Sequence, residues 1–380
     1  MKRLIVAYCI LPKSDSKNNK MKNYFLMLTM LALLPSCVSH SQKARETLLT
    51  DKENIYLVLH YASLAGSSHN SQPWKTEVYG EDSILIFADT SRKLNVVDPT
   101  SRELCISIGA FIENLDMAAR CFGYETEIKI HAGPAGFSGP LASIMLTRSD
   151  ACAEDDILNE IKLRTTLRIP FDTLSIKQSD LATLVSIDSS RIHFIAATSA
   201  RGKYIRQKES EAYTQQARNK NAQDELAGWI RFSNKDVKQK QDGLTTEGMG
   251  IKGIGGFVVR NFFKPEDSKK ESFVTQGIDK TKLQAENCGG WIVITQPSEN
   301  IESRINTGRL YQAIHLKCRK MNIGFHPMNQ VIEEAGFESE ANTYLGLNGK
   351  IMLIARIGYV KDYPEPVSVR RPVESFTTFK

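Results

Sequence analysis

Residues 66–74 read Gly66-Ser67-Ser68-His69-Asn70-Ser71-Gln72-Pro73-Trp74. Hydroxyls, an imidazole and two amides crowd into one turn, closed by a proline and a tryptophan. Before it, Leu48, Leu49, Ile55, Leu57, Val58, Leu59, Tyr61 and Ala62 recur at helical spacing, which predicts a helix over Glu46–Leu64. Gly66 suits the helix C-cap, and Pro73 prevents the helix from resuming. After the turn, Lys75–Tyr79 and Ile84–Ala88 read as strands around Gly80-Glu81-Asp82. Asp98-Pro99-Thr100-Ser101 then caps a helix over Arg102–Cys121, with Gly123 just beyond it. Strands follow at Glu125–Ile130 and Leu141–Thr147. Helix, polar loop, hairpin, helix and strands make an α+β layout.

A second set of elements starts near Glu154. A helix through Leu163 meets Arg164-Thr165-Thr166-Leu167-Arg168. Ser179–Ser186 reads as a short helix, Arg191–Ala196 as a strand and Arg201–Phe232 as one long polar helix. Asn234–Gly256 is rich in Lys, Gln and Gly and reads as a mobile, lid-like excursion. Gly290–Thr295 and Ile351–Ile357 are strands, Ile301–Met321 a helix, Val331–Ala335 a short helix, and the Pro-rich tail is extended. Residues 46–150 and 154–380 thus form two parts with a similar order of elements.

The net charge is +6 over 380 residues. Five of those units lie in residues 1–36, where Lys2, Arg3, Lys13, Lys17, Lys20 and Lys22 face one acid, Asp15. A near-neutral body argues against nucleic-acid binding, which needs a net basic face. Residues 1–36 are expected to be a leader, with a lipoprotein signal starting at Met21. Lys22 is followed by the apolar run Tyr24–Leu34, which is too short to span a bilayer. Leu34-Pro35-Ser36-Cys37 then resembles a bacterial lipobox. Cys37 would carry the lipid and hold the chain in the cell envelope, facing the periplasm.

Gly248-Met249-Gly250-Ile251-Lys252-Gly253 matches G-x-G-x-x-G, but the polar stretch Lys238–Glu247 before it is not strand-like, so a dinucleotide fingerprint is not expected. The seven histidines show no metal-ligand spacing, and no metal site is expected. The hydroxyls and amides of Ser67–Trp74 can meet a polar heteroaromatic ligand, or equally cap their own backbone. Arg164, Thr166 and Arg168 can grip a phosphate, or form a solvated helix end.

Taken together these motifs resemble a known family. Ser67-Ser68-His69-Asn70-Ser71-Gln72-Pro73-Trp74 is similar to the S-x-x-N-x-Q-P-W loop of the nitroreductase superfamily. Asp98-Pro99, Arg102-Glu103-Leu104, Gly109-Ala110, Glu113-Asn114-Leu115 and Ala118-Ala119 resemble the D-P-x-x-R-E-L…G-A…E-N-L…A-A helix of its Acg-like branch. Arg164-Thr165-Thr166-Leu167-Arg168 with Pro170-Phe171 resembles that branch's R-R-T-x-R-x-P-F, with Thr165 in place of its second Arg. Gly324, Pro327-Met328-Asn329-Gln330 and Arg370-Arg371-Pro372 are similar to its closing elements. The resemblance implies a central sheet flanked by helices, two fused nitroreductase-like halves in one chain, and FMN as cofactor. It implies that Arg164, Thr166, Arg168, Arg370 and Arg371 hold the FMN phosphate, and that Ser67, Ser68, Asn70 and Gln72 face the flavin from the other half. One chain would then build its own site without an oligomer.

The resulting expectation is an FMN-dependent oxidoreductase. It would pass hydride or electrons from reduced FMN to a nitroaromatic, quinone or similar small acceptor, with NAD(P)H as a possible reductant. No catalytic acid or base stands out. The rival expectation is an envelope lipoprotein that stores or sequesters FMN without turnover.

Overall fold

The computed structural model describes residues 54–80, 82–131, 137–149 and 156–380. The leader, Cys37, the start of the first expected helix and Glu154 lie outside these residues.

Helix α1 (Asn54–Ser63) buries Ile55, Val58, Leu59 and Ala62. Gly66 after it is no left-handed cap. A Cβ there would lie 2.2 Å from the Tyr311 hydroxyl, so this glycine admits an aromatic side chain. Strands β1 (Trp74–Tyr79) and β2 (Ser83–Ala88) alternate inward and outward, with Trp74, Thr76, Val78, Ile84, Ile86 and Ala88 buried. Helix α2 spans Arg102–Cys121, as expected; the Asp98 carboxylate accepts from Leu104 N at 3.0 Å. Strands β3 (Tyr124–Ile130) and β4 (Ala142–Arg148) complete the first set.

Helices α3 (Ile157–Leu163) and α4 (Gln178–Val185) lead to strand β5 (Ile192–Ala196). The expected single helix over 201–232 is two, α5 (Ala200–Arg218) and α6 (Lys220–Trp229). Asn219 divides them, because its side chain accepts from Asn221 N and Ala222 N and so caps α6. Ile230–Arg231, expected at the end of that single helix, is strand β6, and the expected excursion 234–256 holds α7 (Asn234–Lys240), β7 (Leu244–Thr245) and the start of α8 (Gly253–Phe262). Helix α9 (Glu271–Glu286) follows, then β8 (Gly290–Gln296), α10 (Ile301–Lys320), β9 (Ile323–Pro327), α11 (Gln330–Glu333), α12 (Phe337–Leu345), β10 (Lys350–Tyr359) and β11 (Thr377–Phe379). Sequence reading leaves α9, α12, β9 and β11 unassigned. Strand β9, Ile-Gly-Phe-His-Pro, has weak strand propensity, and its pairing with β10 makes it a strand.

The helix and strand content is mixed α+β, with two main sheets ordered β11-β1-β2-β4-β3 and β5-β8-β10-β9. Leaving β11 aside, both follow one connection pattern. The second strand leads into a twenty-residue helix, the helix into a strand, and the last strand inserts between those two. They differ in their connections: β9 and β10 are separated by α11 and α12, while no helix is described between β3 and β4. A short turn links β1 to β2, whereas residues 197–289, with α5 to α9, separate β5 from β8. The C-terminal tail then runs back to the first sheet, where β11 pairs in parallel with β1 at Thr76 and Thr377.

Helices α2 and α10 pack against each other at two glycines. A Cβ on Gly109 would lie 2.0 Å from the Ile305 carbonyl oxygen, and one on Gly308 would lie 2.0 Å from that of Ile106. Beside this contact, Gln312 Nε2 donates to Asn114 Oδ1 at 2.8 Å and Arg309 pairs with Glu113 at 2.8 Å. Gly109→Ala and Gly308→Ala should each lower stability by about 2–3 kcal/mol, at the upper end of ordinary overpacking. A fall in the urea midpoint with unchanged slope would bear this out; unchanged midpoints would refute the tight crossing.

Candidate functional site

The loop after α1 carries backbone strain. His69, Asn70 and Gln72 all have left-handed φ, at 51°, 52° and 52°, although none is glycine. The surrounding chain holds them there. Arg370 donates to Asn70 Oδ1 at 3.0 Å, Leu64 O at 3.2 Å and Ala65 O at 3.1 Å. Arg371 donates through its guanidinium to Gln72 O at 2.7 Å and Trp74 O at 3.0 Å, and through its backbone N–H to Gln72 Oε1. Arg164 donates to Leu64 O at 3.0 Å. The Asn70 amide donates to Gly243 O and Val369 O, and the Gln72 amide to Gln241 O.

Beside this loop lies a cavity of about 420 Å³. Four of the nine residues expected at a cofactor line it: Ser67, Ser68, Thr166 and Arg168. The other five, Asn70, Gln72, Arg164, Arg370 and Arg371, stand behind the wall, where their polar groups join the loop, residues 241–243 and the C-terminal tail. The motif loops at 67–74 and 164–168 therefore meet at one cavity within a single chain.

Sequence reading names His69 as a possible donor near a flavin, and Glu103, Asn329 and Gln330 only within motifs; it misses Lys280. Lys280 comes from α9, which stands out in no motif, and donates to the Met249 carbonyl. Arg168 donates to Gly248 O at 3.1 Å. Both cations are partly buried, and among the described residues neither has a carboxylate partner. Burial lowers the pKa of each, and the Arg168 charge lowers that of Lys280 further. Burial and then Arg168 bring His69 down to about 4, so its ring is neutral at pH 7.

His326 sits within the Gly324…Gln330 motif, the one signal that could have revealed it. Its Nδ1 accepts from Arg356 Nε at 3.1 Å. An arginine only donates, so the neutral ring carries its proton on Nε2 as a donor. Burial, Arg356, Arg168 and Lys280 all hold His326 far below the usual imidazole range. Arg356 is fully buried over the Phe171 ring and also donates to the carbonyls of Leu167, Ile169, Gln284 and Asn287. Burial pushes its guanidinium down to about 9, still charged at neutral pH.

A second polar wall holds Glu103 and Glu333. Asn329 Nδ2 donates to Glu103 Oε1 at 2.9 Å, and Gln216 donates to Glu333 at 3.0 Å. Burial raises both carboxyl pKa values, which favours their neutral forms. Ile106, Leu226, Leu244, Met249, Ile251, Phe273, Met328 and Leu353 provide apolar lining. Much of this lining comes from the insertion between β5 and β8. Apolar walls with a few convergent polar groups suit a small ligand, and unpaired cations suit an anionic one.

No family model matches the chain. Over 91 residues, 24% of this chain, it is 31% identical to the "Putative NAD(P)H nitroreductase" of Mycobacterium tuberculosis, in strains CDC 1551 and H37Rv alike. That stretch is 26% of each relative, so the chain spans about a quarter of the curated proteins it matches. Among solved structures, the FMN-dependent nitroreductase NfnB of Mycobacterium smegmatis in complex with NADPH is 15% identical. That match covers 58% of this chain and 96% of the other, at a TM-score of 0.36. A nitroreductase with bound FMN from Bacteroides fragilis is 13% identical over 57% of this chain and 95% of its own, at a TM-score of 0.31. These scores are too low to bear on residue roles.

Arg356→Lys should destabilise the chain by about 3 kcal/mol or more, because an ammonium cannot serve acceptors on several strands and loops at once. Urea denaturation measures this; an unchanged midpoint would remove Arg356 from its organising role.

Proposed function

We propose that the chain is an FMN-dependent oxidoreductase of the nitroreductase type, in its Acg-like branch, with the cofactor in the cavity between the two motif loops. The observation that carries this reading is the pair of cavity-lining cations, Arg168 and Lys280, with no carboxylate partner among the described residues. A phosphate of about −2 charge supplies the missing partner. The cavity volume of about 420 Å³ falls within the roughly 300–1,000 Å³ of small-molecule and cofactor sites. The residues present fit the group, although the phosphate-facing set is smaller than the sequence motifs imply.

Arg168 and Lys280 would hold the phosphate, with the Thr166 hydroxyl beside them. Ser67 and Ser68 would offer hydroxyls to the polar edge of the ligand, and His326 its Nε2–H. Ile106, Met328 and Leu353 would exclude water from the flat ring. When bound, FMN supplies the hydride and electron chemistry. Glu103 and Glu333 lie within the same cavity and, protonated, could hydrogen-bond an acceptor. The reductant is proposed to be NAD(P)H and the acceptor a nitroaromatic, quinone or similar small molecule.

The shared connection pattern of the two sheets supports a reading of residues 46–150 and 154–380 as fused halves that build one site per chain. The motif at Leu34–Cys37 supports a lipid-anchored envelope protein. A specific observation also favours the storage reading: residues 244–251, α5, α6 and α9 wall the cavity, which would shield a bound flavin.

Arg168→Ala and Lys280→Ala should each weaken FMN binding about 10- to 150-fold, the effect of losing a charge-assisted bond of roughly 1.5–3 kcal/mol. Riboflavin, which has no phosphate, should bind the variants and the parent alike. Equal losses for both ligands, or none, would overturn the phosphate assignment. Anaerobic NADPH should bleach the flavin of an enzyme, and a quinone should restore the colour; a flavin that stays oxidised means storage. Separately, Cys37→Ser should abolish acyl labelling, and retained label would refute the anchor.

A further inference from the structure

Helix α8 is turned inside out. Ile254, Phe257, Val258 and Phe262 share one face at i, i+3, i+4 and i+8, and are 86%, 58%, 39% and 74% exposed. Gly256 is the helix's one buried residue. A surface helix of a globular fold turns its apolar stripe toward the core, whereas here the stripe faces solvent. The inner side is held at few points. Gly256 approaches the Ile251 carbonyl, Arg260 pairs with Glu247, and Phe263 beyond the helix meets the Phe232 ring edge at 6.3 Å. Among the described residues no other helix or strand packs closely along it. Clustered exposed side chains of this size mark a contact surface.

The charge around the helix selects the partner. Residues 248–264 contain Lys252, Arg260 and Lys264 and no acidic residue. Lys252 and Lys264 bracket the helix between Glu247 and Glu266-Asp267; Lys264 donates its backbone N–H to Asp267 at 2.7 Å, and neither lysine's ammonium forms an ion pair among the described residues. An outward face of phenylalanine and isoleucine with cations at both ends matches a helix lying in the interface of an anionic bilayer. We propose that α8 is a membrane-contact element, which inserts its outward face among the lipid headgroups of an anionic membrane. This element is independent of the flavin reading, since its outward residues do not line the cavity. It is also a second membrane signal beside Cys37, one that would orient the body on the surface.

The test uses the full chain carrying Cys37→Ser, so that no acyl group contributes. In this background Phe257→Trp should add blue-shifted emission with phosphatidylglycerol-containing vesicles, and brominated acyl chains should quench it. That readout reports on the helix even if the leader binds lipid. Phe257→Asp with Phe262→Asp should weaken vesicle binding at least tenfold, with circular dichroism unchanged. Lys252→Glu with Lys264→Glu should remove the preference for phosphatidylglycerol over phosphatidylcholine, since each basic residue near an anionic surface contributes about fivefold. Emission of Phe257→Trp that vesicles neither shift nor quench overturns the proposal. So does a native mass that halves with the double aspartate variant while vesicle binding is unchanged, because the face then belongs to a second copy of the chain.

Discussion

The contact of α2 with α10 at Gly109 and Gly308 is the constraint on which the site depends. Each position lies so near the other helix's backbone that a methyl group would meet a carbonyl oxygen at 2.0 Å. At this separation Gln312 reaches both Asn114 and the Gly66 N–H. The loop after α1 is thereby tied to the helix pair. Ile106 and Ser107 on one helix and Tyr311 on the other then line the same cavity. A wider crossing would lose these bonds and leave buried amides unsatisfied.

Around that helix pair, arginines act as organisers of backbone. Arg164, Arg370, Arg371 and Arg356 direct their donors mainly to carbonyl oxygens rather than carboxylates. A guanidinium can serve several acceptors in a fixed plane, so it can fix a loop that lacks regular ladder bonds. This explains how three non-glycine residues stay left-handed between Ser67 and Pro73. Arg370 and Arg371 come from the far end of the chain, so the loop's shape depends on the tail being in place.

Arg168 and Lys280 differ from those arginines in leaving most of their charge uncompensated by the protein. Each makes a bond to one carbonyl, in a largely apolar cavity where burial favours the neutral forms of Glu103 and Glu333. The insertion between β5 and β8 brings Lys280 to Arg168. It also supplies the outward apolar face of α8. One inserted segment therefore carries both a cation of the proposed cofactor site and the proposed membrane contact.

The α2 boundaries, the β1–β2 hairpin and the core strand of β8 were legible in the sequence, because each rests on local signals: a capping aspartate, alternating burial, a continuous apolar run. The two motif loops were legible as a pair that belongs together. Which of their residues face the cavity was decided by tertiary structure alone. Asn70, Gln72, Arg164, Arg370 and Arg371 are of the same residue types as true ligand contacts, and only the positions of distant carbonyls turn them inward to the loop. Lys280 and His326 gain their significance from Arg168 and Arg356, far away in sequence. Helix α8 is not read as a helix in the sequence, where its start falls within the expected excursion 234–256; the orientation of its stripe toward solvent depends on what the rest of the chain fails to place against it. Local periodicity determines the elements, because backbone hydrogen bonding and side-chain spacing are short-range. The direction in which a polar or apolar face points depends on long-range packing, which no local pattern contains.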